Sequence, residues 1–177
     1  MKKLIFSLLT TSLLFAFTAC GSDDEKEEKF FTGDCIQTIS LESGPANGPY
    51  STPKASSTLD DMLKDVTGYG SPISSGTLQT TGENTEVKII GLPAGTALKD
   101  FKISINGIVE SFGEVSNEKV NLNLYTGHDA FFKRAFDQMV ANKKLETVVS
   151  FTPTVQVTNE VSLKIVFSGR FSYWVKL

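Results

Sequence analysis

Histidine and tryptophan each occur once in the 177 residues, as His128 and Trp174, and cysteine twice, as Cys20 and Cys35. One histidine and no closely spaced cysteine pair exclude an ordinary zinc site. No Gly-x-Ser-x-Gly, His-Glu-x-x-His, P-loop or dinucleotide signature is present, so no familiar catalytic motif points to a reaction. The formal net charge is only −3. Without a basic excess there is no electrostatic footprint for nucleic acid. The longest apolar run, Leu4–Phe17, is interrupted by Ser7, Thr10, Thr11 and Ser12. It falls short of the roughly 20 apolar residues that span a bilayer.

That run follows Met1-Lys2-Lys3 and ends in Phe17-Thr18-Ala19-Cys20-Gly21. A positive start, a short apolar stretch and a small-residue end have the form of an export signal. Ala19-Cys20-Gly21 resembles a lipobox, where lipoprotein signal peptidase cuts before a diacylated cysteine; Phe17 stands where Leu is usual. The following Ser22-Asp23-Asp24-Glu25-Lys26-Glu27-Glu28-Lys29 resembles the acidic export tag of surface lipoproteins in Bacteroidota. The resemblance covers residues 1–29. It implies a signal peptide at 1–19, a lipidated Cys20, and a place in the outer membrane facing the cell exterior. An acidic run buries no apolar surface, so 20–29 is expected to form an anchor and solvated tether.

Residues 30–177 then form one domain long enough for a sizeable core. With Cys20 acylated, Cys35 stands alone and no intramolecular disulfide forms. A lone thiol in Cys35-Ile36-Gln37-Thr38-Ile39 reads as a small buried hydrophobe.

Along the domain, 31–41 reads as a strand and 42–57, punctuated by Gly44-Pro45, Gly48-Pro49 and Pro53, as a loop. Leu59, Met62, Leu63 and Val66 share one helical face behind Thr58, which has capping-box spacing to Asp61. Strands are expected at 77–80 and 87–90. Phe101–Ile105 and Ile108–Phe112 flank Asn106-Gly107, a strong hairpin signal because a type I′ turn needs positive φ at both centres. That register sets Ile105 on Ile108, Ile103 on Glu110 and Phe101 on Phe112, leaving Glu110 on the apolar face. Val120–Leu124 alternates as another strand. A helix is expected over Asp129–Asn142 with Phe132, Phe136, Met139 and Val140 inward, widened by Phe131 and Ala135. Asp129 reads as a capping residue. From Val149 onward the odd positions are apolar, which predicts a C-terminal hairpin with Val157 on Val161, Val155 on Leu163 and Phe151 on Phe167.

About seven strands, each with one apolar face, and two short amphipathic helices predict an antiparallel β-sandwich. A calycin-like antiparallel barrel is the alternative. The expected function is a non-catalytic binding or envelope-assembly domain for a glycan or protein, with no cofactor and no metal. Trp174 shares the polar parity with Arg170, Lys164 and Val166; an outward aromatic beside a cation suits such a contact. The competing reading has Trp174 covered by a helix. Tyr50 in the long loop is a further binding candidate. A small-ligand carrier with a barrel interior, or a hydrolase using His128, is the alternative function. Asp60, Asp61 and Asp65 read as a solvated helix face rather than a calcium site.

Overall fold

The computed structural model describes residues 25–80, 85–116, 121–123 and 127–177. The expected signal peptide and the expected lipidation site at Cys20 lie outside them. Two antiparallel five-stranded sheets pack face to face as a sandwich. The first is built on β1 (Lys26–Ser40) and β10 (Ser162–Lys176), with β4 (Ile73–Leu78), β5 (Glu86–Ile90) and β8 (Asn121–Asn123). The second is built on β9 (Lys144–Pro153), with β2 (Tyr50–Ser51), β3 (Ala55–Thr58), β6 (Ala97–Ile105) and β7 (Ile108–Ser116). The described strands close no barrel. Among the described residues the strands number ten against the expected seven or so; β2 and β3, of two and four residues, are too short to show a period.

The alternation in β1 explains its place. Phe31, Gly33, Cys35, Gln37 and Ile39 face inward and are buried, while Phe30, Thr32, Ile36 and Thr38 face out. Over its whole length β1 pairs with β10, from Lys26↔Lys176 to Ser40↔Ser162. The strand therefore starts four residues before the expected domain boundary, and Lys26–Lys29, assigned to the tether by sequence, are laddered.

The expected C-terminal hairpin is not formed. Phe151 and Phe167 are both buried, but β9 lies in one sheet and β10 in the other. Parity reports only that two residues face one core; partners across a sandwich satisfy it as well as partners side by side. Strand β9 stops at Pro153, and Val155, expected inward, is exposed.

The 101–112 hairpin does form. Asn106 and Gly107 have φ of 47° and 84°, as a type I′ turn requires. Ile105↔Ile108 and Ile103↔Glu110 pair as expected, but Phe101 meets Gly113 rather than Phe112. The bulge at Phe112 shifts the register, and Gly113 absorbs it with φ of 72°. The 42–57 segment is less irregular than its prolines imply: β2 and β3 within it both pair with β9.

Each spine strand is bordered on one edge by two short strands with a gap between them, and a buried threonine spans each gap. On β10, β5 reaches Val166 and β4 begins at Gly169. Between them the Ser168 amide donates to Thr85 Oγ1 at 3.0 Å. On β9, between β2 and β3, the Val149 amide donates to Thr52 Oγ1 at 3.0 Å. The Val157 amide likewise donates to Ser43 Oγ at 3.0 Å. Main-chain donors that a broken ladder would orphan are satisfied by side-chain hydroxyls.

Two helices cover the sandwich. Thr58 caps α1 (Leu59–Leu63) by accepting from the Asp61 amide. Helix α2 (Asp129–Asn142) has the expected bounds, and Phe131, Phe132, Ala135, Phe136, Met139 and Val140 are all buried. Its N-cap is His128, not Asp129, and makes no side-chain cap bond. Phe132 and Phe136 set their rings 6.2 and 6.1 Å from Phe167. Burying a side chain of that size contributes about 1.5–3 kcal/mol. Glycine makes the approach feasible: a Cβ on Gly169 would lie 2.7 Å from Phe136 Cζ.

Candidate functional site

The outward face of β1 and β10 carries the strongest surface feature. Even-numbered residues of β10 point away from the core, which brings Lys164, Arg170 and Trp174 to one side with Glu28 and Phe30 of β1. Trp174 is 52% exposed, so neither helix covers it. Arg170 stacks its guanidinium 4.5 Å from the Phe30 ring centre. Such a cation–π contact is worth about 0.5–1 kcal/mol at an exposed site, and here it holds Arg170 against the sheet. Phe30 is itself 52% exposed. Between these residues Ser172 is buried, with its Oγ 2.7 Å from the hydroxyls of both Ser74 and Ser75. Beyond Arg170, Asp34 accepts a short hydrogen bond from Ser168 Oγ. These hydroxyl contacts stiffen the platform beneath the aromatics.

Sequence reasoning picked out Trp174 and Arg170 but missed Phe30. The signal was available: Phe31, Gly33 and Cys35 form the inward set of β1, which leaves Phe30 outward. Its adjacency to Arg170 depends on β1 pairing with β10, which no local pattern shows.

Towards the chain start, a groove of about 540 Å³ opens between Lys26, Pro72, Trp174 and Lys176. Its walls are the end of the β1–β10 ladder, where strand β4 has stopped pairing at Tyr173↔Ile73.

Tyr50 is not part of this face. It lies on the second sheet, its ring 5.5 Å from Phe151, in a separate hollow of about 280 Å³ with Pro49, Asp100 and Lys102. A bulge in β6, with Asp100 at φ of 51°, shapes that hollow.

His128 has a defined role at the start of α2. Its Nδ1 lies 2.8 Å from Glu110 Oε1, and its ring centre is 4.3 Å from that of Phe112. Glu110, the polar residue on the apolar side of β7, thus meets the helix cap at the rim. If Glu110 accepts from Nδ1–H, the pair fixes the imidazole tautomer. Cys35 takes no part in it. It is fully buried within β1, and burial, with the Asp34 carboxylate adding to it, pushes its thiol up to about 12. A thiol so placed is not a nucleophile near neutrality.

Among the described residues no group of three or more His, Cys, Asp or Glu side chains is placed to hold a metal. In the first-helix acidic group, Asp60 accepts from the Tyr69 hydroxyl at 2.7 Å and Asp61 from the Thr58 amide-capping hydroxyl at 2.6 Å. The small-ligand carrier expectation required a barrel interior, whereas the space between these sheets is packed by side chains such as Phe101, Phe131, Phe132 and Phe167.

Compared with known proteins, the chain matches no family model, no curated protein and no solved structure.

Proposed function

We propose that this protein is a lipid-anchored envelope protein, held through Cys20 on the cell exterior, whose β-sandwich acts by contact rather than by catalysis. The observation that carries the reading is the outward face of β1 and β10, where Phe30 is exposed with Arg170 braced on its ring, and Trp174 stands exposed at the far end of the same face. Large exposed aromatics beside a held cation are what a glycan or protein contact uses: flat apolar area, a directional donor and little ordering cost. The Tyr50 hollow is the secondary contact in this reading.

The test uses the full chain in cells. A labelled fatty acid is expected to mark the wild type and not Cys20→Ala, and protease added to intact cells is expected to remove the wild-type domain. An unlabelled, protease-protected wild type would overturn the anchor. For the contact, a panel of surface glycans and envelope proteins is expected to yield a partner that Arg170→Ala binds at least tenfold more weakly, about 1.4 kcal/mol. Equal binding by Arg170→Ala would remove this face from the reading.

A further inference from the structure

The end of the β1–β10 ladder differs from the rest of the sandwich. Lys26, Glu27, Trp174, Val175 and Lys176 are all exposed, so both surfaces of this short ribbon face outward. Strand β4 no longer pairs beyond Tyr173, and the ladder continues to Glu25, whose carbonyl accepts from the Leu177 amide at 2.9 Å. An isolated two-stranded ribbon is marginal in water. This one presents Trp174 and Val175 on opposite surfaces.

We infer that the occupant of this ribbon, and of the groove between Lys26, Pro72, Trp174 and Lys176, is the headgroup region of the bilayer to which the chain is anchored. The inference rests on the lipid anchor at Cys20 proposed above. Five residue steps separate Cys20 from Glu25. Whatever their conformation, they reach no more than about 18 Å. A domain of this size is roughly 40 Å across. The link is therefore shorter than the body it carries, and the ribbon is the part held nearest the acyl chains. Tryptophan flanked by lysines is the side-chain set that settles at a membrane–water interface, with the ring among the headgroups and the ammonium groups at the phosphates. Charge alone does not drive the docking, since Glu27 pairs with Lys29 at 2.6 Å and Glu28 sits opposite Trp174. The anchor supplies proximity, and the aromatic and apolar side chains supply the contact. The outward face is thereby divided: Trp174 belongs to the bilayer, while Arg170 and Phe30, nearer the body, stay available to a partner.

Trp174 is the chain's single tryptophan, so its fluorescence reports this site alone. The lipidated full-length mature chain is reconstituted in phosphatidylethanolamine–phosphatidylglycerol vesicles, with and without bromine on the acyl chains. Bromine is expected to cause a loss of Trp174 emission, as for a ring held at the membrane–water interface, and the membrane to reduce its quenching by acrylamide. A control carrying Trp174→Phe and Val109→Trp moves the probe to an exposed position on the second sheet and is expected to show no bromine effect. Equal quenching at both positions, or none at Trp174, overturns the docking. Protection from acrylamide without a bromine effect means that the ring is shielded by something other than the bilayer, and also overturns it. Mass analysis of the same sample separates the premises: an acyl group on Cys20 without quenching refutes only the docking, whereas a chain lacking the acyl group refutes the anchor and the docking with it.

Discussion

Thr85 and Thr147 are both buried, and replacing each with valine makes the same chemical change, yet the two variants should move stability in opposite directions. Thr85 Oγ1 accepts from the Ser168 amide at 3.0 Å, where the ladder along β10 is interrupted. Valine keeps the shape and removes the acceptor, leaving a buried N–H without a partner. Such an orphan costs about 1–3 kcal/mol. Thr147 Oγ1 is buried with no hydrogen-bond partner among the described residues. There the wild type already bears the desolvation cost of the hydroxyl, and valine removes it for a gain of about 1 kcal/mol. The separation between the two variants should be about 3 kcal/mol. For a domain of this size each kcal/mol moves Tm by about 2–4 °C, so Thr85→Val should melt roughly 4–8 °C below the wild type and Thr147→Val a few degrees above it. Urea unfolding followed by far-UV circular dichroism measures the free energies and thermal unfolding the Tm shifts, with Thr85→Ser as the control that restores the acceptor. Equal shifts of one sign in the two valine variants, or Thr85→Ser as unstable as Thr85→Val, would refute the role given to the ladder-spanning hydroxyl.

Two further outcomes follow from the core. Gly169→Ala places a methyl group 2.7 Å from Phe136 Cζ, and should cost about 1–3 kcal/mol by overpacking, measurable in the same unfolding experiment; pairing it with Phe136→Leu should recover part of the loss. Cys35 is held neutral by burial, its pKa raised from 9.0 to about 12. A raised acid stabilises the fold below the unfolded value and loses that contribution as pH rises through the folded one, so the Cys35 contribution should be intact below pH 9, fade between 9 and 12, and be absent from the pH–stability profile of Cys35→Val. A profile unchanged by that substitution would remove the thiol from the alkaline loss.

The parts of the fold that sequence shows best are those decided within a few residues. The α2 stripe, the Asn106-Gly107 turn and the outward parity of Trp174 depend on periods of 3.6 or 2 and on turn chemistry. What it shows poorly is decided by partners far along the chain. Phe151 and Phe167 have matching parity, yet whether two such strands are neighbours or face each other depends on which edge is already occupied; β1 and the β4–β5 pair fill both edges of β10, so β9 must lie in the other sheet. The prolines at 45, 49 and 53 hid β2 and β3, because two or four residues pairing with a long edge need no pattern of their own. Glu110 looked misplaced on an apolar face until the start of α2 brought His128 within 2.8 Å. For the candidate site, parity found Trp174 and Arg170, while the Phe30 contact required a pairing across more than a hundred residues.

That same pairing sets an order of events. Among the described strands β1 has only β10 as a ladder neighbour, so the first strand made waits for the last. No early hairpin can sequester the N-terminal segment, and a topology so rich in distant contacts closes slowly. The β1 segment thus stays without its ladder partner until the fifteen-residue β10 has been made, while the β6–β7 hairpin, closed by a local turn, needs no such wait.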